Sequence, residues 1–347
     1  MADVENFMGV SAGDIEKIMG VATGDIEAVM GLGIVTAAFY GTRGVGGGGN
    51  DNVTGGTPYL HGKINVINYK AMTSNGNTSD FGDLTFKTDQ LGACSGGSRG
   101  VFMAGYTDDD GTYAATNEMQ YITVSSTGNT TDFGDLTAVI ETGSAFGNGI
   151  RGLTGYMSIS DKQMDYITIA STGNSADFGD SDRAHMYRGT LNNSVRGLET
   201  GGIGPGYSFR NDIEYFTIAT TGDGTNFGDL TSARKLCGGT ESDVRGCINL
   251  GRNTNADIQI TRQIDYITID TTGNASDFGD ALSGEEGESH DNACSNLVRG
   301  EWWGGQNSSG EEMDEIQYIT IASTGNATDA GNLNQGMIYG PACLSGT

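Results

Sequence analysis

The chain has 347 residues, with 58 Gly, only 3 Pro, and 18 Lys plus Arg against 44 Asp plus Glu, for a net charge of −26. So few cations disfavour nucleic-acid backbones, which are bound by clustered Lys and Arg, and anionic membrane surfaces. Gly without Pro or a three-residue period is not collagen, and 12 Phe with 14 Tyr are too many for a disordered acidic chain.

No apolar run reaches the roughly 18 residues of a membrane-spanning helix, and the acidic start, Met1-Ala2-Asp3-Val4-Glu5, lacks a basic segment, so no secretory signal is expected. Five Cys without a CxxC spacing and three His (His61, His185, His290) predict no disulfide framework, metal or cofactor.

Residues 1–35 carry a period of 11: Val10-Ser11-Ala12-Gly13-Asp14-Ile15-Glu16-Lys17-Ile18-Met19-Gly20 is followed by Val21-Ala22-Thr23-Gly24-Asp25-Ile26-Glu27-Ala28-Val29-Met30-Gly31. An unbroken helix would carry several interior Gly, at about 1 kcal/mol each. Two short helices are expected instead, with acids at their starts and Gly20 and Gly31 just past their ends. Short helices are marginal alone. The apolar set Met8, Ile15, Ile18, Met19, Ile26, Val29 and Met30 is therefore expected to serve attachment or self-association.

From residue 36 a longer repeat takes over. Six segments share the phrase Tyr-Ile-Thr-Ile-x-x-Thr-Gly-Asn-x-x-Asp-Phe-Gly-Asp: 69–83, 121–135, 166–180, 215–229, 266–280 and 318–332. In each, Tyr precedes the turn Gly by 7 residues and the end of the phrase by 14. An Arg-Gly landmark recurs at Arg43, Arg99, Arg151, Arg196, Arg245 and Arg299. Tyr-Ile-Thr-Ile alternates with period two and is β-branched, so it predicts a strand. Thr-Gly-Asn predicts a turn. Asp-Phe-Gly-Asp predicts a short strand, and another strand is expected ahead of Arg-Gly, as at Ser232–Cys237. Four strands in 45–56 residues is the size of a propeller blade. The first unit lacks its opening strand, and 337–346 reads as that missing strand. A ring closed by the C-terminal strand is expected, which also removes two free sheet edges.

With a Gly-Gly at 201–202 and 304–305 before the Tyr strand, the repeat resembles the kelch family over 36–347. It departs from that pattern in carrying Phe for the usual late Trp and in lacking Gly-Gly in three units. The resemblance implies an all-β, six-bladed kelch-like β-propeller closed by the C-terminal strand, behind a short N-terminal helical-repeat segment. The tandem Asp-Ile-x-x-Ile-Met-Gly-Val phrase resembles N-terminal segments of tailed-bacteriophage virion proteins. That resemblance implies a structural tail, neck or fibre protein of the virion. Its expected partners are other virion proteins through 1–35, and a host surface glycan or protein; a homo-oligomer is also expected.

Several residue patterns mimic chemistry. Asp-Phe-Gly at Asp80, Asp132, Asp177 and Asp277 looks like a kinase metal triad but recurs with the repeat, so turn capping by Asp and core filling by Phe are expected. The Arg-Gly arginines are expected to pair with Asp83, Asp135, Asp180, Asp229 and Asp280. Asp108–Asp110 reads as a solvated acidic loop without the closing Glu of a calcium loop. Cys94, Cys294 and Cys343 fall at one repeat position and are expected to be buried thiols.

The Arg-to-Tyr distance varies most: 26, 22, 15, 19, 21 and 19 residues. Variable loops on a rigid scaffold tend to carry binding. Candidate ligand contacts there are Tyr59, Tyr106, Asp108, Asp109, Asp110, Tyr113, Tyr156, Tyr207, Phe209, Trp302 and Trp303. No enzyme is expected. The alternatives are a carbohydrate-active propeller, with Asp108–Asp110 and Glu311-Glu312 as its off-repeat acids, and an interaction propeller unrelated to virions.

Overall fold

The computed structural model describes residues 6–7, 10–11, 41–51, 62–109, 112–140, 143–156, 158–253, 261–282, 292–307, 311–337 and 341–346. The chain divides into two compact units, Met1–Ala37 and Ala38–Thr347. In the first, Asn6–Phe7 and Val10–Ser11 pair antiparallel. The two expected helices, and with them Met8, Ile15, Ile18, Met19, Ile26, Val29 and Met30, lie outside the described residues.

The larger unit is a six-bladed β-propeller. Five blades are four-stranded antiparallel sheets, and blade 2 adds Thr88–Asp89 and Tyr106–Asp109 to its four strands, making six. Blade 1 joins the C-terminal Ala342–Gly346 to Arg43–Gly47, Val66–Ala71 and Ser79–Asp83, so the last strand of the chain closes the ring. Blades 2 to 6 follow in order, with first strands at Gly92–Gly96, Gly143–Gly147, Gly189–Asn192, Gly238–Glu241 and Ala293–Ser295. These first strands touch one another in a closed circle and line a central channel.

Two strand expectations are corrected. Ser232–Cys237 is a connecting turn, and the strand ahead of Arg245 is Gly238–Glu241. Cys343 does not share the position of Cys94 and Cys294. Cys94 lies opposite Val101 and Cys294 opposite Glu301, but Cys343 lies opposite Gly46. In blade 1 no covalent turn joins the first two strands, so the closing strand is free to sit one residue along.

The repeated phrase is a stapling device between blades. The turn Gly of each blade donates its N–H to the Phe carbonyl of the blade before it, as in Gly128 to Phe81, Gly173 to Phe133 and Gly222 to Phe178, and all six seams carry this bond at 2.7–2.9 Å. The residue two further on bonds the end of the same phrase, as Thr130 does to Asp83. The turn Asn then accepts an N–H in return, Asp83 to Asn129 Oδ1 at 3.1 Å. The final seam has the same three bonds: Gly76 to Ala330, Thr78 to Asn332, and Asn332 to Asn77. The turn passes so close to the outer strand that a Cβ on Gly134 would stand 2.5 Å from the Gly173 carbonyl, at a φ of +139°. Only Gly fits both constraints.

Arginine supplies a further staple. Arg43, Arg99, Arg151, Arg196 and Arg245 each stack over the Tyr of their own blade at 4.4–4.7 Å. Each also donates to a backbone carbonyl of the next blade (Val124, Ile169, Ile218, Ile269 and Ile321) at 2.8–3.3 Å. The expected pairing with Asp83, Asp135, Asp180, Asp229 and Asp280 is therefore corrected. The register explains it: Arg99 lies opposite Thr123 and Tyr121 opposite Val101, so Arg and Tyr are diagonal neighbours on one sheet face. Beneath five of the six Tyr residues, the Phe of the phrase is buried edge-on, with ring centres 5.8–6.2 Å apart.

The seam between blades 6 and 1 departs from this plan. Ala330 replaces Phe, Lys70 stands where other blades hold Ile122 or Ile167, and Glu301 stands where they hold Val101 or Leu153. The three changes fit together. Lys70 Nζ reaches Glu301 at 3.0 Å and the Ala330 carbonyl at 3.2 Å. Arg299 Nε and Trp303 Nε1 also approach Glu301, at 2.7 and 3.2 Å.

Phe133→Ala is expected to cost about 3–5 kcal/mol by leaving a cavity under Tyr121. Chemical denaturation of the variant checks this, and a loss below about 1 kcal/mol would mean the ring carries little of the seam.

Candidate functional site

Strand direction sets two unlike faces. The turn between the first and second strands and the Thr-Gly-Asn turn lie on one face, with near-constant length. The opposite face carries the variable loops from the second to the third strand and the connections between blades. Of the candidate loop residues, Tyr59 and Asp110 lie outside the described residues, and Asp109 is described only as the end of the strand Tyr106–Asp109.

The rest do not form one cluster. Tyr106 and Tyr113 flank Lys63 Nζ at 4.6 and 5.9 Å, and Lys63 pairs with buried Asp89 at 2.6 Å. Asn50 also donates to Asp89. Asp108 belongs to the same hairpin, opposite Tyr113. These groups fasten the blade 1 loop to the blade 2 hairpin. Blade 4 repeats the device: Lys235 lies 4.8 Å from the Tyr187 ring and 6.0 Å from Phe209. Tyr156 is buried, with its hydroxyl 2.7 Å from Thr137 Oγ1.

Trp302 and Trp303 are corrected. Both are fully buried in the second strand of blade 6, where Trp302 packs with Phe278 and Ile319, and Trp303 with Met72 and Met337. Adjacent strand residues point to opposite faces, so one ring fills each flanking seam. Tyr207 alone of the described aromatic candidates stands well out, at 61% exposed, on the short turn Pro205–Tyr207.

Beneath the loops lie buried polar groups that the sequence analysis missed. The residue before each repeat Tyr is Asn68, Gln120, Asp165, Glu214, Asp265 or Gln317, and all six are buried. Five of them accept a backbone N–H just past the phrase of the preceding blade, as Gln120 does from Thr85 and Asp165 from Thr137, both at 2.8 Å. Asn68 accepts instead from the Asn334 side chain. The signal was available, because every one of these side chains offers an oxygen acceptor at one repeat position.

Glu214 belongs to the densest cluster. Arg188 binds Glu199 and reaches Glu214 at 3.8 Å, and His185 lies 3.1 Å from Asp212. Burial pushes the Glu214 carboxyl up to about 8, aided by the charge of Glu199 and offset in part by Arg188. Burial also acts to raise Asp212, but hydrogen bonds from His185 and Arg210 outweigh it and hold Asp212 well below the usual carboxylate range. Arg188, Glu199, Glu214 and His185 are each at most 4% exposed. The carboxylate pair is thus sealed within the blade packing and presents no surface to a substrate.

Among the described residues no group of three or more His, Cys, Asp or Glu is arranged to hold a metal ion. All five Cys are free and buried, so Cys237 and Cys247 form no bridge. No family model matches the sequence, and no curated protein matches it significantly.

A carboxyl whose folded value is raised takes up a proton on folding, so its contribution is lost as pH rises. From about pH 4.5 to 8 the wild type is expected to lose stability through Glu214. Glu214→Gln should flatten that slope and be the more stable chain relative to wild type above pH 8. Urea titrations at pH 5, 7 and 9 check this, and parallel pH profiles would contradict it.

Proposed function

We propose that this protein is a non-catalytic interaction propeller that presents its variable-loop face to a partner surface, and that it does so as a structural component of a tailed-phage particle. The observation that carries the first part is the contrast between the two faces. Chain-length variation is concentrated in loops on one side of a frame whose six seams share the same turn hydrogen bonds. Lys63 and Lys235, each held between two aromatic rings, fasten loops to that frame. A fastened loop loses little freedom on binding, which favours affinity.

Tyr207 is the leading contact residue. It is exposed on its turn beside Ser208 and Phe209. An aromatic ring with neighbouring hydroxyl and amide groups suits a sugar ring or a protein surface. The particle assignment rests on the tandem 11-residue phrase of 1–35 and its resemblance to virion proteins. Attachment through that segment, with the loop face outward, fits the reading.

A glycan array and intact host cells probed with the purified full-length chain test the binding part. Tyr207→Ala is expected to weaken the strongest interaction found by roughly 10-fold or more, about 1.4 kcal/mol, with an unchanged melting temperature. Equal binding by wild type and variant would remove Tyr207 from the contact. Gold-labelled antibody against the propeller should decorate phage tails or necks, and unlabelled particles would refute the virion part.

A further inference from the structure

The face opposite the variable loops carries a surface that the proposed function leaves unused. The residue immediately before the repeat Arg is Ile150 in blade 3, Val195 in blade 4, Val244 in blade 5 and Val298 in blade 6. These four are 56%, 43%, 55% and 64% exposed. The equivalent residues of blades 1 and 2 are Thr42 and Ser98. The local backbone does not demand an aliphatic side chain here. In all six blades the carbonyl of this residue accepts an N–H from the residue three beyond the Tyr, and Thr42 and Ser98 do so as well as Val195. In blades 3 to 6 its N–H also donates to the Asn or Ser side chain two residues earlier, and neither bond uses the aliphatic side chain. Four contiguous blades thus form an exposed aliphatic crescent around one mouth of the channel.

The charge of this face is as unusual as its apolarity. The eleven turns that build it, five between first and second strands and six Thr-Gly-Asn turns, contain three carboxylates, Asp223, Asp243 and Asp270, in a chain with 44 acidic residues. Asp223 and Asp270 are engaged within the fold, by the Asp180 N–H and the Asn193 amide. The outer turns read Thr-Gly-Asn or close variants and are exposed but otherwise uncharged. Beyond them, at the rim, stand exposed acids of the outermost strands, such as Asp80, Asp132 and Asp277.

We propose that this crescent pairs with the same crescent on a second copy of the chain. At a net charge of −26, two copies repel over most of their surfaces. The described turns of this face offer the contact where carboxylates are fewest and aliphatic side chains most exposed. An apolar centre inside a polar rim is the usual composition of a protein interface.

The crescent is also complementary to itself. A two-fold axis lying in the face, between blades 4 and 5, brings blade 4 of one copy over blade 5 of the other, and blade 3 over blade 6. Val195 then meets the partner's Val244, and Ile150 meets the partner's Val298. Such a contact is closed, so association stops at two chains. Both loop faces point away from the interface and remain free. The inference does not depend on what those loops bind.

The test uses the full-length chain. Light scattering across a concentration series is expected to give an assembly whose mass halves in Val195→Asp and in Val244→Asp, with far-UV circular dichroism unchanged. The substituted sites are exposed, so the variants should fold. Raising salt should tighten the wild-type pair, because the rim acids are screened. A second measurement fixes the geometry. Val195→Cys mixed with Val244→Cys should give an intermolecular disulfide under mild oxidation, and Val195→Cys alone should give little. The native thiols are all buried and do not interfere. A wild-type chain that stays single at high concentration, an assembly whose mass the Asp variants leave unchanged, or cross-linking of Val195→Cys alone as efficient as the mixture would each overturn the proposal.

Discussion

The larger unit depends on one constraint: a Thr-Gly-Asn turn must lie against the outer strand of the preceding blade closely enough for three hydrogen bonds. Each bond is worth about 0.5–1.5 kcal/mol net, so no single seam decides the fold. Six seams in a circle, all with these bonds, do, because opening one exposes apolar side chains that are buried in the closed ring. The same contact explains the Gly content at these positions. The Gly that follows Phe or Ala330 in the phrase lies where a Cβ would stand 2.3–2.7 Å from the carbonyl oxygen or carbon of the facing turn Gly, whereas the turn Gly itself meets open space and is required by its φ, +150° to +157° in five of the six turns. It also explains why Phe and Tyr follow each other at fixed spacing while the Arg-to-Tyr distance drifts. The first pair builds the seam, and the second distance is loop.

The exception at the closing seam is informative. A buried ion pair such as Lys70 with Glu301 adds little net stability, but separating its members strands an uncompensated charge at about 3–5 kcal/mol. Blade 1 docked against any blade other than blade 6 would leave Lys70 facing an apolar residue such as Val101, Leu153 or Cys247. The ion pair therefore favours closure of this chain on itself at six blades. Ala330 leaves the room that Lys70 occupies, so the loss of Phe in the last phrase is part of the same adaptation. The row of acids along the outermost strands acts in the same direction, discouraging edge-to-edge pairing with other sheets.

Much of this was legible in the sequence. The constant 7- and 14-residue spacings marked the strand, turn and outer strand of every blade, and the missing first strand announced a ring closed from the C-terminus. What was not legible depended on register. Arginine reads most simply as a partner for aspartate, and only the pairing of Arg99 with Thr123 places it over Tyr121. Trp302 and Trp303 read as loop aromatics because they lie near a variable segment. They occupy the strand positions of Phe102 and Met103, which point into the seams. The acceptor ring from Asn68 to Gln317 escaped notice because its members share a carbonyl or carboxylate oxygen and differ in residue type. The site remained least legible, since loop aromatics such as Tyr106 and Tyr113 serve Lys63 as well as any ligand.

Native-state hydrogen exchange on the full-length chain tests the central claim, that the repeated turns are seams and not free surface loops. The turn glycines Gly76, Gly128, Gly173, Gly222, Gly273 and Gly325 are exposed, so as free turns their amides would exchange at nearly the unprotected rate. As seam donors they should exchange as slowly as the central strands, through global opening alone, and at similar rates in all six blades. Rapid exchange at these six amides, with protection confined to the strands, would contradict the account.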